Sequence, residues 1–386
     1  MRAYLAIACG LPVLLAGATG ALNYSVDPYL LHQWDSPKLE RLGPHIEKLT
    51  AWGKVYALSR YQPQVLYVGN SRTEVGLPVD APQFAGRRVF NGALSGANLG
   101  DEIKIVRYAS NVGPLTTVVW GLDLPSFTLA VGNTDVDDAL AGGGPAYMWR
   151  RSARDLKRSI SLDMTQDSLL MLAGQYPGVC AHSLSRNGQK DHNCVRMAVV
   201  RNGGTSGSVL PRTADFLRLY GSGHAAMPAF MQVLEDLCSS RLRLYVNPTH
   251  AITIDALYRM GRGREMEEWL RALAATAAQL RARGCDTRVY DFSGFNSVTT
   301  EPLPQTSGQP EMRYFWEPSH YRENVGRMVL ARLEGGGEAA DGFGAELLPE
   351  RMDDHLARLR TALWRYRDDH PRDSALAGAA SARASR

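Results

Sequence analysis

Ser71 occupies a position at which a nucleophilic serine would be expected. It follows an apolar run at 65–68 that is bounded by Gly69 and has the length of a buried strand. A serine at the carboxyl end of such a strand can begin the next helix, where unpaired backbone N–H groups are able to hold an oxyanion. Serine is also a common helix cap. The nucleophile interpretation therefore requires a base elsewhere in the chain.

Glu317 and His320 are candidates for that base and its orienting carboxylate. They lie three residues apart within Trp-Glu-Pro-Ser-His-Tyr at 316–321, beyond the last predicted strand. A serine nucleophile needs a general base, and the base needs an acceptor that orients its ring. We therefore predict a relay in which Ser71 lies within hydrogen-bond reach of His320. His250 follows another predicted strand, where it either lines the same edge or caps the following helix.

Five short apolar runs bounded by turn-forming residues predict the strands that position these side chains. They lie at 65–68, 88–90, 116–120, 242–246 and 287–290. Helical stretches separate several of them, at 98–110, 226–239 and 265–283. This alternation predicts an α/β fold with a short five-stranded parallel sheet, whose carboxyl edge would carry the site.

Three further segments complete the predicted organisation. The segment 124–223, after the third strand, is rich in Gly, Ser, Asn and Asp, and an insertion of this length is typical of a cap or lid over a site or of a partly disordered segment. We predict that it is a cap. The segment 334–369 begins with a glycine run at 335–337 and predicts a C-terminal helical extension, with apolar residues at helical spacing over 347–366, that packs on the core. The Ala-, Ser- and Arg-rich segment 370–386 predicts a disordered tail.

The first 22 residues indicate the compartment. The stretch 3–22 has no charged residue, so 1–22 is predicted to be a membrane anchor or a signal peptide, with an Ala-Gly-Ala cleavage motif at 16–18. The positive charge of Arg2 favours a cytoplasmic amino terminus, with the rest of the chain outside.

Outside the cytoplasm, cysteines are candidates for disulfides. Cys238 and Cys285 each end a helix that leads into a predicted strand, so their thiols approach if those strands are neighbours. Cys180 and Cys194 would close a polar loop within the insertion. None of the cysteines has the C-x-x-C spacing of a zinc site, and no metal is predicted.

The composition excludes several classes of protein. A hydrophobic fraction of 45% and a charged fraction of 21% exclude a fibrous or wholly disordered chain. The net charge of +4 is mild, and the sequence contains no nucleic-acid-binding module. We therefore expect no nucleic-acid partner.

The chain resembles the SGNH/GDSL hydrolase superfamily, in its membrane-anchored bacterial branch. The resemblance is carried by Asn-Tyr-Ser-Val-Asp-Pro-Tyr after the anchor, followed in order by GNSR, FNGALSGAN, WGLD and EPSH, at 23–29, 69–72, 90–98, 120–123 and 317–320. It implies a flavodoxin-like three-layer sandwich over 23–333. It also implies that Ser71 is the nucleophile, His320 the base and Glu317 its orienting carboxylate. The N–H groups of Ser71 and Gly96 would be the oxyanion donors, and no cofactor is implied.

Two residues depart from the pattern of the family. Glu317 stands where an aspartate is usual, and glutamate can play the same role. Asp123 stands where the hydrolases usually have an asparagine that donates to the oxyanion, whereas an ionised aspartate only accepts and would repel it. Either Asp123 is structural, paired with the backbone or with Arg72, or another donor replaces it. Asn91 and Asn98 are the candidates for that donor.

These observations predict an extracytoplasmic serine enzyme that acts on an acetylated saccharide, as an O-acetylesterase or an O-acetyltransferase. Its expected location is the bacterial inner membrane, with a single pass and the catalytic domain in the periplasm. Its expected partners are an acetylated polysaccharide or glycan and a membrane acyltransferase. The alternative is a non-catalytic accessory protein of an envelope polysaccharide biosynthesis or export machine.

Overall fold

The structure, a computed structural model, describes residues 2–29, 31–32, 50–128, 145–175, 187–220, 226–306, 311–337 and 341–386. The strands in this part are β1 Val65–Val68, β2 Val89–Asn91, β3 Thr117–Leu122, β4 Arg241–Val246, β5 Thr287–Asp291, β6 Phe315–Glu317, β7 His320–Tyr321 and β8 Ala345–Glu346. Six of them form one sheet in the order β2–β1–β3–β4–β5–β8. The first five are parallel, whereas β8 is antiparallel to β5. Strands β6 and β7 form a separate antiparallel pair.

The predicted α/β fold with a mostly parallel sheet is confirmed. Strands β1, β2 and β3 are buried along their whole length, which explains why apolar residues dominate them. The prediction of five strands is wrong by one, because β8 lies within the segment expected to be a helical extension. This strand has only two residues, too few to show a period, and its place is decided by pairing with Tyr290 and Asp291.

The described helices are α1 Arg2–Val26, α2 Thr50–Tyr61, α3 Ser71–Gly76, α4 Leu99–Val112, α5 Leu124–Thr128, α6 Pro145–Ser159, α7 Leu162–Leu172, α8 His192–Arg201, α9 Gly204–Arg218, α10 Met227–Asp236, α11 Ala251–Arg259, α12 Gly263–Ala282, α13 Glu323–Leu333, α14 Met352–Asp369 and α15 Pro371–Ala384. Helices α5 to α10 lie between β3 and β4 and make up the described part of the connection between these strands. Edge-to-face contacts of Phe127 with Phe230 and Trp269 hold the start of this connection in the core, with ring centroids 5.2 and 5.4 Å apart.

Cys238 and Cys285 form the predicted disulfide, with their Cα atoms 4.8 Å apart. They precede β4 and β5, which are neighbours in the sheet, so both cysteines lie at its amino-terminal edge. Cys180 lies outside the described residues, and the Cys180–Cys194 pair stays a prediction.

The C-terminal part of the chain packs on the core as α14 and α15. The predicted apolar face of α14 is buried, and it includes Leu356, Leu359 and Leu363. The prediction of a disordered tail at 370–386 is wrong, because α15 packs against α9 and α11 with Ala377 and Ala380 fully buried. Small side chains allow close helix packing, which a composition rule for disorder does not take into account.

Helix α1 continues four residues beyond the predicted end at Leu22. Its segment Ala8–Val26 has a mean hydropathy of 1.2, is 11% buried, and is long and apolar enough to cross a membrane. By length and composition, this segment fits either a membrane anchor or a signal sequence.

Candidate active site

A tight connection from β1 into α3 positions Ser71. Gly69 has a φ of +147°, and a Cβ at this position would lie 2.5 Å from Thr73 Oγ1 and 3.0 Å from the Gly121 carbonyl, so only glycine fits. Asn70 caps α3, because its Oδ1 accepts the N–H of Arg72 at 3.1 Å. Ser71 thereby becomes the first residue of α3, at the carboxyl edge of the sheet.

The β6–β7 hairpin brings the predicted base to Ser71. The distance from Ser71 Oγ to His320 Nε2 is 2.9 Å, which allows the hydroxyl to donate to the ring. His320 Nδ1 is hydrogen-bonded to Glu317 Oε1, so the glutamate orients the imidazole. The structure therefore brings together Ser71, His320 and Glu317 in the order of a proton relay.

Glu317 is kept ionised in this arrangement although its side chain is only 1% exposed. Burial alone raises the pKa of Glu317, but the charge of His320 and hydrogen bonds from His320 and Ser319 outweigh it and lower the pKa to about 2. Ser319 donates from its N–H to Glu317 Oε2 at 2.9 Å and from its Oγ to Oε1 at 2.7 Å. A carboxylate that stays charged can stabilise the imidazolium formed when His320 accepts a proton.

Asp123 is paired with Arg72, as one of the sequence-based alternatives expected. Both side chains are buried, and they form an ion pair through Asp123 Oδ1. The other carboxylate oxygen accepts the side-chain amides of Asn70 at 2.7 Å and Asn247 at 3.0 Å. Asp123 therefore joins the ends of β1, β3 and β4.

Arg72 extends this network to the hairpin that carries the base. Its Nε donates to the carbonyl of Ser319 at 2.7 Å, and its Nη2 donates to the carbonyl of Pro248 and to Thr249 Oγ1. Arg72, next to Ser71, thus holds Ser319, next to His320. Arg72 and Asp123 act as positioning residues for the relay.

Gly96, predicted together with Ser71 to supply a backbone N–H to an oxyanion, lies beside the serine. It lines both cavities beside Ser71, in a left-handed conformation with a φ of +76°. In the described part of the chain, neither the N–H of Ser71 nor that of Gly96 donates to a protein acceptor. Both groups are therefore available to a bound oxygen.

The side chains of Asn91 and Asn98 have structural roles and do not replace an oxyanion donor. Asn91 is fully buried, and its amide donates to the carbonyls of Thr73, Glu74 and Leu77 around the end of α3. Asn98 is also fully buried, and its Oδ1 caps α4. Neither faces the cleft, because full burial leaves no surface for a substrate to touch.

His250 caps α11, so the capping alternative holds for this residue. Its Nδ1 accepts the N–H of Ile252 at 3.3 Å, and its Nε2 lies 2.7 Å from the carbonyl of Glu301. Burial lowers the pKa of His250 to about 4, so the ring is neutral at ordinary pH.

Two cavities meet at the serine, and both are lined by Ser71, Gly96, Arg212 and His320. One has a volume of about 380 Å³ and is largely apolar, with Phe216 of α9 in its wall. The other has a volume of about 460 Å³ and includes α8 and the basic residues Lys190 and Arg201. Helices α8 and α9 belong to the predicted insertion, which therefore walls the site as expected of a cap.

A buried ion pair between Lys54 and Glu74 supports the segment before Gly96 and was not predicted from the sequence. Lys54 of α2 is fully buried, and its Nζ donates to Glu74 Oε1 at 2.7 Å. Glu74 Oε2 accepts Ser95 Oγ at 2.6 Å, which holds the residue before Gly96. Lysines are almost always exposed unless they are paired, so nothing in the local sequence marks Lys54 for this role.

In the described part of the chain, no group of three or more His, Cys, Asp or Glu side chains is placed to hold a metal ion. Comparisons of the chain with protein-family models, with curated proteins and with solved structures find no match. The site is therefore interpreted from its own geometry.

Proposed function

We propose that the protein is a serine acyl-ester enzyme that acts on an acetylated saccharide outside the cytoplasm. The observation that carries the proposal is the 2.9 Å contact between Ser71 Oγ and His320 Nε2, with Glu317 on the other ring nitrogen. Three residues in this order are the minimum that a nucleophilic serine requires.

The reaction begins when His320 Nε2 removes the proton of Ser71 and the serine oxygen attacks the acetyl carbonyl. The carbonyl becomes an oxyanion that accepts the N–H groups of Ser71 and Gly96. Collapse of this intermediate breaks the bond to the saccharide oxygen, which takes the proton from His320 and leaves the acetyl group on Ser71. A second hydroxyl then repeats the sequence and regenerates the free serine.

The second acceptor distinguishes an O-acetylesterase, which uses water, from an O-acetyltransferase, which uses a sugar hydroxyl. The two cavities that meet at Ser71 offer room for a donor and an acceptor on separate sides of the serine. This arrangement suits both reactions, and the proposal covers both. The proposed partners are an acetylated glycan and a membrane acyltransferase that supplies acetyl groups.

The proposed relationship is to the membrane-anchored branch of the SGNH hydrolases, with a flavodoxin-like three-layer sandwich. In its support, the five parallel strands follow the order 2-1-3-4-5, which is that of flavodoxin-like sheets. The proposed location is the inner membrane, with α1 as a single-pass anchor and the catalytic domain in the periplasm. The Cys238–Cys285 disulfide supports an oxidising compartment.

Asp123 favours the alternative, a non-catalytic accessory protein of a polysaccharide biosynthesis or export machine. Its carboxylate supplies no side-chain donor to an oxyanion, and the nearby amide of Asn70 is already directed at Asp123. An enzyme of this design would rely on backbone donors alone.

A fluorophosphonate probe separates the two functions without knowledge of the natural substrate, because it reacts with activated serines. We expect the full-length chain to carry the adduct on Ser71, and we expect Ser71→Ala and His320→Ala to abolish labelling. Cleavage of an aryl acetate should fall at least about 10³-fold in each variant and no further in the double variant, since relay residues act as a unit.

Ser110→Ala is the matched control, because this serine is exposed on α4 and, within the described residues, its hydroxyl bonds only to the carbonyl of Arg107. It should leave labelling and cleavage unchanged. A folded wild-type protein that carries no adduct on Ser71 would refute the proposed enzymatic function and favour the accessory role.

A further inference from the structure

Exposed hydrophobic side chains are concentrated on α1, α6 and α7. The described part of the chain exposes sixteen large hydrophobic residues, and eleven of them lie on these helices or on the turn between α6 and α7. Beyond α1 itself, six of these exposed side chains lie on α6, on α7 or on the turn between them and are here called the apolar face, namely Trp149, Leu156, Ile160, Leu162, Leu169 and Leu172. Such a concentration is unusual for a surface in contact with water.

Helix α6 has one face toward the protein and the apolar face on the opposite side. Arg151 points inward, where its guanidinium lies 4.4 Å from the ring centroid of Tyr56 and bonds Ser59 and Tyr108. Trp149 and Leu156 are seven residues apart on the helix, which places them on one side, and Arg151 is about half a turn away from them. They are 77% and 66% exposed.

The corner between α6 and α7 is attached to α1 at one end of its apolar segment. Asn23 is fully buried there, and its amide donates to the carbonyls of Ser159 and Ser161 at 2.8 and 3.2 Å. A Cβ built on Gly20 would lie 3.6 Å from Ile160, so the turn is in contact with α1. The segment Ala8–Val26 is about 28 Å long as a helix, close to the thickness of a hydrocarbon core. Gly20 and Asn23 are near its C-terminal end.

Basic side chains border the apolar face. Helix α6 contains five basic residues and one acidic residue. Arg150 and Lys157 are both exposed and are seven residues apart, so they form one flank beside Trp149 and Leu156. A helix with an apolar side and a basic flank is suited to the interface of an anionic bilayer.

We propose that α6 and α7 lie on the outer surface of the bilayer that α1 crosses, with the apolar face in the interface and Arg150 and Lys157 on anionic headgroups. The contact between Ile160 and α1 favours lipid over a partner protein, because Gly20 lies within the apolar segment of α1, near its C-terminal end. The inference rests on the proposed role of α1 as an anchor and is independent of the ester chemistry. It makes the insertion a membrane-contacting element as well as a wall of the cleft.

Nitroxide labels on the full-length chain test this placement in nanodiscs that contain phosphatidylglycerol. Cys9→Ser removes the free thiol found among the described residues, and single labels are introduced by Leu156→Cys and Leu162→Cys with the Cys238–Cys285 disulfide intact. Trp364→Cys on α14 is the aqueous control, since it is 62% exposed against 66% for Leu156. Leu14→Cys on α1 reports the anchor. The readout is the ratio of collision rates with oxygen, which concentrates in lipid, and with a water-soluble nickel chelate.

We expect the ratio at positions 156 and 162 to exceed that at 364 several-fold. Ratios equal to that at 364, with a high ratio at 14, would overturn the surface contact while keeping the anchor. A low ratio at 14 would overturn the anchor and this inference with it. Labels shielded from both reagents would indicate a protein partner and also overturn the lipid contact. Combined Arg150→Glu and Lys157→Glu should lower the ratio at 156, and an unchanged ratio would overturn the headgroup contact.

Discussion

Replacing Asp123 with asparagine would introduce the residue that is usual at this position in the SGNH hydrolases, the family proposed above, yet we expect it to damage the protein. The change keeps the shape of the side chain and removes its charge, which leaves the Arg72 guanidinium, 2% exposed, without its ion-pair partner. Breaking a buried ion pair by removing one partner costs about 3–5 kcal/mol of stability. That loss corresponds to a fall in Tm on the order of 10 °C for a domain of this size.

The amide nitrogen that the substitution introduces would destabilise the protein further. Asp123 Oδ2 accepts the amides of Asn70 at 2.7 Å and Asn247 at 3.0 Å, so an amide nitrogen there would face two donors. Because Arg72 also holds the carbonyl of Ser319 at 2.7 Å, a shift of its guanidinium would move the residue beside His320. Misplacement of a catalytic group by about 1 Å can lower turnover about 10²-fold.

The assay compares Asp123→Asn with wild type by thermal unfolding and by cleavage of an aryl acetate. Asp236→Asn is the matched control, because its pair with Arg107 is 3.5 Å long and about half exposed. An exposed pair of this kind contributes about 0.2–1 kcal/mol to stability, so Asp236→Asn should leave Tm and aryl acetate cleavage almost unchanged. An Asp123→Asn protein as stable as wild type, with equal or higher activity, would refute the positioning role and place residue 123 at the oxyanion.

Three further predictions concern the same framework. The pKa of Glu317 is lowered to about 2 in the folded chain, so the ionised carboxylate stabilises the fold fully above its ordinary pKa of 4.5, and this stabilisation is lost as the pH falls toward 2. The free energy of unfolding in urea should therefore decline between about pH 5 and pH 3 in the wild type and decline less in Glu317→Gln. Equal pH dependence of the two proteins would contradict this prediction. The Cys238–Cys285 bridge spans 47 residues, so removing it with paired alanines should cost about 4 kcal/mol in the chain-entropy model, measured by denaturant unfolding under oxidising conditions. Reductant should destabilise the wild type more than it destabilises this variant, and equal effects on both would contradict the prediction. Gly76→Ala places a Cβ 2.0 Å from the ring of Tyr321, next to His320, and should lower both Tm and ester cleavage. Gly337→Ala is the control, because a Cβ there has no atom within 4 Å, and it should change neither. An active and stable Gly76→Ala protein would show that the β6–β7 hairpin tolerates displacement of Tyr321.

Features encoded by neighbouring residues were predictable from the sequence alone. The strands of the parallel sheet are mostly buried runs that end at or near a turn-forming residue, so five strands and the α/β class could be predicted from local pattern. The chemistry of Ser71, Glu317 and His320 could also be proposed, because a serine after a buried strand and a Glu-x-x-His sequence suggest roles that depend on residue type. The pairing of Cys238 with Cys285 followed from the helix–strand order, which places both at one edge of the sheet.

The roles of the remaining polar residues were decided by packing between distant parts of the chain. Arg72 and Ser319 are 247 residues apart, and the donors that surround Asp123 come from the ends of two other strands. In the sequence, His250 looks like a site residue because it follows a strand, and Asn91 because it lies in the FNGALSGAN block of the resemblance. A strand end is also where a helix must be capped and a turn held, and these are the roles that the two residues have. The local sequence specifies which groups can donate or accept. Which partner each one finds depends on the burial that the complete fold imposes, because a buried polar group must take the partner that lies beside it.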